Sequence, residues 1–225
     1  MNLKALIARF RVLANDKAEP YFWSDEEVSG WLNDAVHEAC LRGRLLHSDD
    51  AFVTDVEKGR PLYAYAAGGF AAGYAYEIDS IRFVSDGKPV CLKLVSPEAA
   101  DVCAPGWRDG AQTGLPVYAV QGDGKLTLAP APDRDGRLFA GGGYCLPRDM
   151  AGDGDEPEIN SIHHRNLVYW ALAEAFSIPD AETFDPQRSE SARRRFELYF
   201  GLPADSDLRR ITREDTPHLN RHFWI

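Results

Sequence analysis

Apolar side chains recur at helical spacing at both ends of this sequence and at strand-like spacing between them. That double change of period limits the chain to an architecture that mixes helices and sheet. From Leu3 to Leu13 the apolar residues Leu3, Leu6, Ile7, Phe10, Val12 and Leu13 predict a first helix. The stretch "WSDEEVSGWLNDAVHEACLRGRLL" then carries Ser24 with Glu27 three positions on, the spacing of a capping box. Trp23 and Val28 stand where a hydrophobic staple closes, and Asp25, Glu26 and Glu27 suit the positive end of the helix dipole. Val28, Trp31, Leu32, Ala35 and Ala39 form the stripe of this second helix.

Between residues 51 and about 144 short alternating runs are broken by turn signals, as in "YEIDSIRFVSDGKPVCLKLV" and "PVYAVQGDGKLTLAPAP". "SDGK" and "GDGK" place Gly beside Asp between strand-like runs, the chemistry of tight hairpin turns. A small meander of antiparallel hairpins is expected. "YAAGGFAAGYAY", residues 65 to 76, is too rich in small residues for an ordinary strand and reads as a mobile or partner-ordered loop. The acidic, Gly- and Pro-bearing "PRDMAGDGDEPEI" reads as the link back to helix. From Ile162 to Phe176 apolar residues, Trp170 among them, occupy nearly every side of the wheel, which predicts a helix enclosed by others. The last helix has Asp185 as N-cap, Pro186 at its first position, and Gly201 with Pro203 as its stop.

The fold class expected is α+β: a helical bundle of about four helices, two N-terminal and two C-terminal, with a β-hairpin or meander section inserted. The sections run 1–48 (N-terminal helices), 49–148 (β-rich), 149–204 (C-terminal helices) and 205–225, an extended polar tail. At 225 residues and 44% hydrophobic, the chain can bury a core of that size. A formal net charge of -10 repels nucleic acid and anionic membrane surfaces, so any contact with DNA must be local or slippery. Nothing reaches membrane-spanning length, and the N-terminal stretch, interrupted by Arg9 and Arg11, lacks the pattern of a signal peptide. Cys40, Cys91, Cys103 and Cys145 lie far apart without a C-x-x-C pair, which fits reduced thiols better than a disulfide framework or a zinc site.

Motifs for bond-making chemistry are absent. His163 and His164 point about 100 degrees apart on a helix and cannot share an ion; they read as packing or capping groups at a helix start. His218 and His222 have i, i+4 spacing but no third ligand in reach. "GGG" at 141 to 143 sits beside a strand end, with no helix after it to make a dinucleotide site. No catalytic residue, cofactor or metal is assigned. Arg193, Arg194 and Arg195 spread over about 200 degrees of the last helix, so they serve either a solvated face paired with Glu190 and Glu197 or a contact with a partner or DNA. Phe223, Trp224 and Ile225 close a polar tail, and either fold back into the core or dock on another chain.

Taken in order, "WSDEEVSGWLNDAVHEACLRGRLL", "GLPVYAVQGDGKLTLAPAPD", "YCLPRDM", "DEPEI", "HHRNLVYWALAEAFSIPDAETFDP" and "RFELYFG" resemble the head-to-tail adaptor, or connector, proteins of tailed bacteriophages. The resemblance spans roughly residues 20 to 201 and rests on packing and capping patterns. It implies a non-enzymatic structural protein of the virion neck, assembled in the host cytoplasm into a ring, commonly of twelve copies. Such a ring sits between portal protein and tail or nozzle protein and extends the channel through which double-stranded DNA passes without specific contacts. It further implies that the terminal aromatic residues grip the portal. The readings from other classes are a small-ligand or carbohydrate-binding β module with helical flanks and an enzyme whose site is assembled from scattered residues.

Overall fold

The computed structural model describes residues 1–48, 52–64, 75–110, 112–122, 124–179 and 182–203. The helices are α1 (Leu3–Ala14), α2 (Asp25–Gly43), α3 (Pro97–Cys103), α4 (His164–Ser177) and α5 (Pro186–Phe200). The strands are β1 (His47–Ser48), β2 (Phe52–Val56), β3 (Leu62–Ala64), β4 (Ala75–Ser85), β5 (Lys88–Leu94), β6 (Thr113–Gly114), β7 (Tyr118–Gln121), β8 (Lys125–Ala129), β9 (Ala131–Pro132) and β10 (Gly136–Cys145). The class is α+β. The chain divides into a helical unit, with residues 1–48, 75–77 and 144–203, and a β unit that includes residues 52–64 and 78–143.

In the helical unit α1, α2, α4 and α5 share one core. Asn2 starts α1 by accepting from the Ala5 N–H at 3.0 Å. Leu3, Leu6, Ile7, Phe10 and Ala14 face inward, whereas Val12 and Leu13 of the expected stripe remain exposed. α2 begins with the Ser24 hydroxyl accepting from the Glu27 N–H, while the Glu27 carboxylate accepts from the Ser24 N–H at 2.7 Å. This reciprocal pair satisfies two of the donors that a helix start leaves without partners. α4 contacts the other three helices, which is why its apolar residues need no single stripe. Rings link the layers: Trp23 meets Phe10 edge-on at 5.5 Å and Phe176 at 5.6 Å, and Trp170 lies 5.2 Å from Phe196. Trp31 and Trp170 are half-buried at the rim of this core, not at its centre.

Where α1 hands over to α2, an Arg11–Asp16 ion pair is buried. Arg11, 7% exposed, donates to the Asp16 carboxylate at 2.5 Å, to the Trp23 carbonyl at 2.9 Å and to Asp25 at 2.6 Å. Its guanidinium also lies 3.7 Å from the centre of the Tyr21 ring. Asp16, 2% exposed, accepts in addition from the Phe22 N–H. A buried ion pair of this kind is tolerable only because each partner is hydrogen-bonded several times over.

The β unit has an antiparallel hairpin, β4–β5, turned by Asp86 and Gly87, both at positive φ as a two-residue turn of this hand requires. A second hairpin joins β7 to β8. The expected meander is corrected here, because β5 and β7 pair in parallel and the sheet is mixed. Parallel neighbours need a crossover, and α3 stands in it, with Ser96 as N-cap and Pro97 at its first position. α3 is a fifth helix beyond the four expected. "GGG" lies inside β10 and not beside a strand end. Ile78, Ile81, Phe83, Leu126, Leu128 and Leu138 fill the larger β core, and Val95, Ala100 and Trp107 belong to a smaller one beside α3. Residues 65–74, the core of the small-residue loop reading, lie outside the described residues.

Candidate interaction surface

The two adjacent histidines of α4 part ways. His164 is fully buried: its Nε2 lies 3.0 Å from the Ile159 carbonyl and its Nδ1 2.7 Å from the Met1 amino group. His163 precedes the helix, makes no capping bond, and sets Nδ1 3.2 Å from the Tyr199 hydroxyl. Burial, and then the neighbouring His164, hold its pKa below the ordinary histidine value. The pair therefore ties the start of α4 to the end of α5 and to the N-terminal segment. Among the described residues no group of three or more His, Cys, Asp or Glu side chains could hold a metal. The thiol of Cys40 is pushed up to about 12 by burial, then by the nearby Glu158 carboxylate, which leaves it without nucleophilic character. His218, His222 and the tail residues Phe223, Trp224 and Ile225 lie outside the described residues.

The acidic link from residue 147 to 159 holds its own shape. The Asp155 carboxylate accepts from the Ala151 and Gly152 N–H groups, and those two bonds keep its pKa below the usual carboxylate value. Its backbone then anchors α1, the Leu3 N–H donating to the Asp155 carbonyl at 2.8 Å.

The arginines of α5 differ in what they touch. Arg194 pairs with Glu190 one turn back at 2.9 Å, and Arg193 reaches Glu174 of α4 at 3.4 Å, not Glu190 or Glu197. Arg195 lies 5.5 Å from the centre of the Tyr169 ring. Arg188 lies 3.8 Å from that of Phe176 and donates to the Leu13 carbonyl at 3.1 Å. Arg188 and Arg195 both line a groove of about 420 Å³, floored by Tyr169, Leu172 and Phe176 of α4 and bounded by Leu13 of α1. At the other caps Asp185 accepts from the Gln187 and Arg188 N–H groups, and Gly201 ends α5 at φ 94°. Large apolar side chains also stay in water on the helical unit: Leu198 is 91% exposed, Leu202 71% and Ile162 66%.

A family model described as SU10 adaptor protein matches residues 1–220. The chain belongs to this phage adaptor family. No curated protein matches it. An SU10 adaptor protein is a structural component of the phage, which fits a chain whose His163, His164 and Cys40 are spent on packing. Among the described residues of this adaptor no helix is long and apolar enough to cross a membrane. Sequence reasoning about the adaptor missed the groove and the buried Arg11–Asp16 pair. A signal for the groove was present, since Arg188 and Arg195 stand seven residues apart and so on one side of a helix. What was not legible is that, among the described residues, Arg193 and Arg194 find carboxylates and these two do not.

Proposed function

We propose that this adaptor assembles as a ring, of twelve copies, between portal protein and tail or nozzle protein in the virion neck, and that the ring extends the DNA channel. The observation that carries the reading is family membership over nearly the whole chain. Physical features support it. Exposed Leu198, Leu202 and Ile162 are costly on a lone chain and are relieved when identical neighbours pack through contacts that close on themselves. A net charge of -10 suits a conduit, because a wall that repels phosphate lets DNA slide, whereas a basic wall holds it by counterion release. In this reading Phe223, Trp224 and Ile225 dock on the portal.

Native mass spectrometry of the full chain, with and without the cognate portal, tests the proposal. The expected result is a ring mass on the portal that is lost when Phe223 to Ile225 are deleted, with the melting temperature unchanged. A single-chain mass in both conditions would overturn the ring, and unchanged attachment of the truncated chain would overturn the role of the tail.

A further inference from the structure

In a chain with ten more acidic than basic groups, an arginine on a helix finds a carboxylate easily, and on α5 Arg193 and Arg194 have done so. Arg188 and Arg195 have not: among the described residues neither forms an ion pair, and both line the same groove. Each guanidinium stands over an aromatic ring of α4, Arg188 over Phe176 and Arg195 over Tyr169. Stacking on a ring face orients a guanidinium while leaving N–H groups at its edge, the side that takes a carboxylate bidentately. Arg188 is further fixed by the Leu13 and Ala14 carbonyls, both of which accept from the same nitrogen, so its other N–H groups remain for a ligand. Seven residues along a helix is a rise of about 10.5 Å. Between the two cations the floor is apolar, with Leu172 and Phe176 at its base; Asp185 also lines the groove, its carboxylate accepting from the Gln187 and Arg188 N–H groups.

We propose that this groove is the docking site for a short peptide segment of another protein chain, in which two carboxylates flank an aromatic or branched apolar side chain. On an extended chain residues two apart share a face, so carboxylates four residues apart point the same way with the apolar side chain midway between them; they stand about 13 Å apart, a span that two long arginine side chains rooted about 10.5 Å apart can meet. The apolar side chain between them covers the α4 floor. Phosphate alone would satisfy the arginines and leave that floor in water, so a nucleic acid is the poorer occupant. The groove lies within the helical unit of one chain, so this inference stands independently of ring assembly. A failed ring assay leaves it intact.

Titration of the full chain with acetyl-Asp-Thr-Phe-Thr-Asp-amide, followed by NMR, tests it. The peptide should shift the Leu13 and Leu172 methyl signals and the Arg188 and Arg195 side-chain signals in a saturable way. Acetyl-Lys-Thr-Phe-Thr-Lys-amide and acetyl-Asp-Thr-Ser-Thr-Asp-amide should not. Arg195→Gln, at a side chain held only by its ring contact, should weaken the titration at least fivefold, and Arg194→Gln should leave it unchanged. Arg195→Lys, which keeps the charge and loses the planar fork, should weaken it at least twofold, and serves alone if the glutamine variant does not fold. The proposal is overturned by no saturable shift, by equal binding of the lysine or serine peptide, by insensitivity to both Arg195 variants, or by displacement of the peptide with a ten-residue oligothymidine.

Discussion

The helical unit and the β unit solve the same problem, burying apolar surface, with signals of different range. In the helical unit the decisive information sits within a few residues: Ser24 with Glu27, Asp185 before Pro186, and a stripe such as Val28, Leu32, Ala35 and Ala39 that meets one shared core. In the β unit it is spread along the chain, since β10 pairs with β2 and β5 with β7, and two smaller cores result. A fold of this kind has a locally specified half and a half specified by pairing. Perturbations confined to one core should therefore show first in its own unit. Arg11→Ala gives the largest expected effect, because it leaves Asp16 buried and charged without its partner, a loss on the order of 3–5 kcal/mol. Hydrogen exchange should show the amides of α1, α2, α4 and α5 losing protection while those of β4, β5, β7 and β8 keep theirs. Equal loss in both units would break the comparison and make the chain one cooperative body.

The β unit can be struck separately. A Cβ added at Gly136 would lie 2.6 Å from a ring carbon of Phe83 and 2.6 Å from the Val84 carbonyl oxygen. Phe83 is fully buried and the carbonyl is backbone, so neither can swing aside cheaply. Gly136→Ala should cost roughly 1–3 kcal/mol, the range for forcing extra volume into a packed core. Thermal melting checks the size, and exchange of the β amides checks the place. A variant as stable as the parent would show that β10 shifts freely, which the sheet register argues against.

How much was legible follows the same division. The helices were readable because caps and stripes act over three or four residues, and Asp185, Pro186 and Gly201 stand where the sequence put the ends of α5. The start of α4 was readable only in part, since nothing in the sequence distinguishes His164, which is fully buried, from His163, which is half-buried. The parallel β5–β7 pair was not readable, because strand runs look alike whichever neighbour they choose. Ser96 and Pro97, the start signal of the crossover helix, lay unused inside a stretch already read as strand. Nothing beside Arg11 in the sequence marks it as buried; only the chain's return through Asp16 and Trp23 encloses it. Of the interaction surface, α5 and its arginines were legible, and the groove was not, since it takes its floor from α4 and its edge from α1.

The smallest effect expected belongs to His163, at the junction of α4 and α5, and it sharpens the comparison by acting through pH instead of volume. Burial and the adjacent His164 lower its pKa from the ordinary 6.5, and its place at the start of α4, where the helix dipole is positive, opposes protonation in the same sense. A histidine whose folded pKa is depressed adds nothing above the unfolded value, where both states are neutral. As pH falls below 6.5 the unfolded chain takes up the proton first, so stability declines until the folded pKa is passed. The denaturation midpoint in urea should therefore drop between about pH 7.5 and pH 5.5, and His163→Gln should drop less over the same interval. Exchange should place the difference at the α4 and α5 amides next to Tyr199, with the β unit unaffected. If parent and variant fall by the same amount, the proton is taken up elsewhere, and His163 contributes nothing to the pH dependence of the helical unit.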